Sequence, residues 1–149
     1  MSTSNKPIEI LLVEDNIGDV RLTQIAFKRG KGLNRLHVVE DGVEALAFLR
    51  QEGKYRDMPR PDLVLLDLNL PRKSGSEVLA EIKADNQLKV IPVVILTTSS
   101  ASEDILKSYT LQANSYITKP VEWDQFMRAV QAIKEFWFTI AKLPPEEGL

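Results

Sequence analysis

Five side chains could do metal and phosphorus chemistry together: Glu14, Asp15 and Asp67 offer carboxylates, Thr97 a hydroxyl and Lys119 an ammonium. Each stands where a short apolar run gives out: ILLV before Glu14, LVLL before Asp67, VVIL before Thr97 and SYIT before Lys119. Crowded carboxylates repel one another, and burying their charge unpaired is costly. A divalent cation resolves this, and an all-oxygen donor set calls for a hard ion, Mg2+ before others, with Mn2+ or Ca2+ able to substitute. The three acids, the lysine and one such cation balance to zero. An aspartate beside a metal is a competent nucleophile toward phosphorus, with Lys119 as a point charge and Thr97 as a donor to phosphoryl oxygens. A phosphoryl group on Asp67 would replace one negative charge with about two, leaving the site negative by about one and drawing Thr97 and Lys119 toward it.

Taken singly, each residue has an ordinary role. Asp67 could cap a helix, Thr97 and Ser99 form turns, Lys119 extend into solvent, and Glu14 and Asp15 sit in a loop. What makes them informative is the elements that carry them. The stretch from Pro61 to Pro71 runs four apolar residues into Asp67 before turning at Asn69. A continuous apolar run bounded by prolines reads as a strand buried on both faces of a parallel sheet, and ligands collect at the carboxyl end of such strands.

Short apolar runs alternate with helical-period segments five times. The pattern predicts strands at 8–13, 35–39, 63–66, 93–96 and near 115–118. A helix starting at Gly18 or Asp19 carries Leu22, Ile25, Ala26 and Arg29 on one side and stops near Gly30 to Gly32. A second carries Ala45, Leu46 and Leu49. A polar connection at 52–61 follows. A third helix begins near Gly75 or Ser76 with Val78, Leu79 and Ile82 inward. A fourth, capped near Ser102, contains Ile105, Leu106 and Tyr109, and the last spans about 122–141 before Pro144-Pro145. Right-handed crossovers of this kind specify an α/β, doubly wound, five-stranded parallel sheet with five helices, in the flavodoxin-like order 2-1-3-4-5. That order makes strands 1 and 3 neighbours, which brings Glu14, Asp15 and Asp67 to one edge, with Thr97 and Lys119 leaving the same edge.

The chain of 149 residues reads as one domain at 8–141 with tails at 1–7 and 142–149. Its 44% apolar and 27% charged residues are ordinary for a globular protein, and a formal net charge of -2 makes no general case for nucleic acid or membrane attraction. No run reaches membrane-spanning length and the start lacks a signal-peptide core. Cysteine is absent, which excludes thiolate metal sites and disulfides and fits a cytoplasmic location. The single histidine, His37, lies in an apolar run and reads as a packed strand residue.

Glu14-Asp15, Asp67, Thr97, and Tyr116 with Lys119-Pro120, each on its matching strand, resemble the receiver domain of two-component response regulators. The resemblance covers about residues 8–141. It implies that Asp67 is the phosphoacceptor and that Asp15 and Asp67, with the Asn69 backbone carbonyl, ligate the metal while Glu14 acts there through water. It further implies that Thr97 is the switch hydroxyl, Tyr116 the switch aromatic, Lys119 the phosphate-contacting lysine, and the Lys119-Pro120 bond cis. The Glu-Asp-Asn at 14–16, Gly18-Asp19, the 55–61 connection and the 114–120 segment are similar to single-domain regulators serving cyanobacterial phytochrome kinases. One departure is Gln112, where many receivers place a glycine after the fourth helix.

The implied function is a single-domain switch, not an enzyme beyond its own phosphorylation and dephosphorylation. A partner sensor histidine kinase, phytochrome among the candidates, supplies the phosphoryl group, and the signal leaves by protein contact or onward transfer. Two alternatives remain: a Mg2+-dependent phosphohydrolase with an aspartyl nucleophile, and a nucleotide or flavin carrier with the same strand order. Against the first, Asn69 stands where a second acid is usual. Against the second, the loop after strand 1 is acidic. In the last helix, Phe126, Val130, Ile133, Trp137 and Ile140 form one stripe, and Phe136 and Phe138 fall off it. These two aromatics mark a candidate homodimer surface through the last helix and its neighbours.

Overall fold

The computed structural model describes residues 7–29, 34–68, 70–97 and 115–128. The expectations for Asn69, Ser99, the fourth helix with Gln112, and the last helix beyond residue 128 with Phe136 and Phe138 lie outside the described residues.

The strands are β1 (Ile8–Val13), β2 (Asn34–Val39), β3 (Leu63–Asp67), β4 (Val93–Thr97) and β5 (Ser115–Thr118), within one residue of their expected bounds. All pairings are parallel and the order is β2-β1-β3-β4-β5. Every residue of β3 and β4 is buried, because helices cover both faces of the central strands. The helices are α1 (Ile17–Arg29), α2 (Gly42–Leu49) and α3 (Gly75–Ala84), and residues 123–128 are helical. Asp41 caps α2 by accepting the Glu44 N–H, and Ser74 with Glu77 forms a reciprocal capping box at α3. Among the described residues no helix is long and apolar enough to cross a membrane.

Two apolar layers flank the sheet. One packs α2 and α3 through Ala45, Leu46, Phe48, Leu49, Val78, Leu79 and Ile82 onto alternate residues of β1, β3 and β4. The other packs Phe27, Val121 and Phe126 onto Ile10, Leu12, Leu63, Leu65, Val94 and Leu96. The α1 face differs from expectation. Thr23 and Phe27 point inward, Leu22 and Ile25 stay 50% and 48% exposed, and Arg29 also faces solvent. The reason is the Phe27 ring, which sits 5.3 Å from Trp123 and 4.5 Å from Phe126 and fixes the rotation of the helix. Thr23 accommodates burial by donating its hydroxyl to the Asp19 carbonyl.

His37 is half-buried on β2 with its Nε2 2.8 Å from Glu9 Oε1, a packed strand residue as expected.

Candidate functional site

Strand register assembles the site. Val13 lies opposite Leu66, so Glu14 emerges from β1 beside Asp67 at the end of β3. The Glu14 N–H donates to the Val39 carbonyl over 3.0 Å and continues the ladder one residue past the strand. Asp67 lies opposite Leu96, which puts Thr97 one step beyond, and Thr97 lies opposite Thr118, which puts Lys119 one step beyond that. The Lys119-Pro120 peptide is cis. Tyr116, on the same strand, is 40% exposed.

The carboxylates of Glu14, Asp15 and Asp67 each place an oxygen within 4.8 Å of the others. Glu14 and Asp67 are buried, at 1% and 3% exposure, while Asp15 is exposed, so the trio opens toward solvent on one side. An all-oxygen donor set of this kind fits a hard divalent cation whose remaining positions are filled by water or phosphate oxygens.

The Lys119 ammonium donates to Glu14 Oε1 at 3.1 Å, Asp19 Oδ2 at 3.0 Å and Asp67 Oδ2 at 3.2 Å. Its three N–H bonds thus meet three carboxylates. Burial alone would lower the ammonium's pKa. The bond to Asp19, the charge of Asp67 and the bond and charge of Glu14 outweigh it and hold the pKa above its usual value. Glu14 is pushed up to about 7, first by burial, then by its hydrogen bond with Asp67 and by the charge of Asp67; the Asn16 N–H and Lys119 pull the other way.

The sequence reading placed Glu14, Asp15, Asp67, Thr97 and Lys119 at this edge, and the structure brings them there. Asp19 joins them, a residue that the sequence marks as a helix start and as part of the family resemblance but not as a member of the site. The available signal was position: α1 begins at the carboxyl end of β1, so an acid in its first turn overlooks the same edge. With Asp19 counted, the metal-loaded site is negative by one rather than balanced.

The loop from β3 to α3 is seated by backbone contacts. A Cβ on Gly75 would lie 2.3 Å from the Asp67 carbonyl oxygen, and one on Gly42 would lie 2.3 Å from the Lys73 carbonyl oxygen. Only glycine permits either approach. The Gly75 N–H donates to the Leu68 carbonyl at 3.0 Å, and Arg72 bridges to the Asp41 cap at 3.5 Å.

The family model described as response regulator receiver domain matches residues 10–131. The chain is 49% identical to response regulator Rcp1 of Synechocystis sp. over 141 residues, covering 95% of this chain and 96% of that protein. The crystal structure of the phosphorylated cyanobacterial phytochrome response regulator RcpA superposes with a TM-score of 0.75 at 52% identity, covering 93% of this chain and 99% of that one. The Mn2+-bound form of response regulator Rcp1 superposes with a TM-score of 0.73 at 48% identity, covering 93% and 99%. These matches favour neither the phosphohydrolase nor the flavin-carrier alternative. With the ordered strand-end residues and the 2-1-3-4-5 sheet, they establish that this chain belongs to the response regulator receiver domain family.

Proposed function

We propose that Asp67 accepts a phosphoryl group from a phosphohistidine on a partner sensor kinase, and that the modified domain signals through protein contacts or onward transfer. The observation that carries this is the placement of the buried Asp67 carboxylate beside those of Glu14 and Asp15 and within 3.2 Å of the Lys119 ammonium. In the transfer, an Asp67 carboxylate oxygen forms the O–P bond as the donor's N–P bond breaks, and the released electron pair returns to the imidazole nitrogen. Asp67 reacts as a carboxylate and gives up no proton.

Asp15, Asp67 and the Asn69 carbonyl would hold Mg2+, with Glu14 acting through water and Mn2+ or Ca2+ able to substitute; the bound cation supplies charge neutralisation at the phosphoryl oxygens. Lys119 supports one phosphoryl oxygen and the Thr97 hydroxyl donates to another. Movement of Thr97 toward the modified acid, followed by Tyr116, is the conformational signal. The only chemistry required of the chain itself is gain and loss of its own phosphoryl group.

The relatives named for phytochrome signalling support a phytochrome-type kinase as the partner. We further assign the functional unit to residues 8–141, a cytoplasmic setting without membrane or direct nucleic acid contact, and homodimer formation through the last helix with Phe136 and Phe138. The deciding experiment is intact mass after incubation with Mg2+ and a small acyl phosphate. One added phosphoryl group that needs both Asp67 and metal supports the reading. No addition to folded, metal-loaded protein overturns it.

A further inference from the structure

Lys119 serves three acids, and they are not equivalent. Glu14 and Asp67 belong to the trio that fits a cation, whereas Asp19 stands outside that trio on the first turn of α1. Its Oδ2 nevertheless makes the shortest of the three Lys119 contacts, at 3.0 Å against 3.1 and 3.2 Å. A cation that neutralises the trio weakens the pull of Glu14 and Asp67 on the ammonium and leaves that of Asp19 largely intact. The backbone that carries the Asp19 carboxylate is held in place. The Asp19 N–H is fixed by Asn16 Oδ1 at 2.9 Å, and its carbonyl accepts the buried Thr23 hydroxyl at 2.9 Å.

We propose that Asp19 is a positioning residue that anchors Lys119 from α1 and competes with the phosphoryl group for the ammonium. An ammonium with all three N–H bonds engaged contacts a phosphoryl oxygen by exchange of partners rather than by addition. Phosphorylation of Asp67 to the acyl phosphate consumes its carboxylate charge, and the new phosphoryl oxygens then compete with Asp19 for Lys119. The strength of the Asp19 contact therefore sets how firmly the phosphorylated state is held. This rests on the phosphoryl chemistry proposed for Asp67. Because Asp19 is partly exposed, solvent screening keeps the effect modest.

The test compares wild type with Asp19→Asn, and with Asp19→Ser as a second variant, after thermal unfolding has confirmed that each is folded. Two quantities are read: affinity for beryllofluoride, a non-reactive phosphoryl mimic, in the presence of Mg2+; and NMR relaxation of the Lys119 Cε methylene in metal-free protein. The expected result is an affinity about two- to fivefold higher in the variants, together with a more mobile Lys119 side chain. Unchanged or lower affinity overturns the proposal. Higher affinity with Lys119 unmoved also overturns it, because Asp19 would then act by direct repulsion of the anion. A wild type that binds no mimic at any concentration would instead remove the reading of Asp67 on which the proposal stands.

Discussion

The Lys119 backbone N–H donates to the Thr97 carbonyl over 2.7 Å, so the hydroxyl-bearing and ammonium-bearing residues leave the sheet as a coupled pair. β4 pairs with β3 and β5 with β4, and this parallel register brings both residues to the edge where Asp67 ends β3.

Replacing Thr97 with Val nearly keeps the volume of a buried side chain and exchanges its hydroxyl for a methyl group. A hydrogen bond to a charged oxygen contributes about 1.5–3 kcal/mol, so phosphorylation of Asp67 should slow by about tenfold or more. Rates of mass increase with acyl phosphate check this, and an unchanged rate would assign Thr97 to packing alone.

Asp15 is the exposed member of the acidic trio and its loss leaves the buried pair in place. Asp15→Asn should weaken divalent cation affinity by about ten- to a hundredfold, from the loss of one unit charge at close range in a partly solvated site. Calorimetric titration of the folded variant with Mg2+ or Mn2+ measures it.

The raised Glu14 carboxyl gives the metal-free protein a pH signature. Its folded pKa of about 7 lies above the ordinary 4.5, so the folded state holds this proton more tightly than the unfolded state. The associated stability is fully present below about pH 4.5 and is lost as pH rises through about 7. Glu14→Gln, which mimics the protonated form, should therefore gain on wild type between pH 5 and pH 8 when metal is absent. Paired urea melts at the two pH values test the sign. Saturating Mg2+ should shrink the difference, since bound cation favours the charged carboxylate.

Gly75→Ala would drive a methyl group into the Asp67 carbonyl and the Leu68 Cα, at 2.3 and 2.5 Å. The expected cost is about 1–3 kcal/mol of stability, with reduced phosphorylation of the displaced Asp67. Denaturant midpoints and acyl phosphate rates read the two effects separately.

The strands were legible because apolar runs of four to six residues end abruptly in charged or turn-forming residues, and a parallel order follows once each run is separated by a helix. The convergence of Glu14, Asp67, Thr97 and Lys119 was legible for the same reason. The face of α1 was not. Periodicity alone ranks Leu22 and Ile25 as well as Phe27, and the choice falls to Trp123 and Phe126, about a hundred residues downstream. Asp19 was hidden by the same distance, since its contact with Lys119 depends on where a separate strand ends. Gly75 reads as a helix start, whereas its role in seating the loop depends on backbone atoms at the end of β3.

The β3–α3 loop touches α2 and the end of β3 through main chain at Gly42 and Gly75. Both junctions depend on the missing Cβ of a glycine, while Arg72 and Lys73 between them add ion pairs to Asp41 and Glu81. Related sequences are thus free to vary the charge and shape of this rim, and with it the partner they admit, while Asp67 stays where it is. Across homologues the two glycines should be kept or lost together, and the residues between Pro71 and Ser74 should diversify.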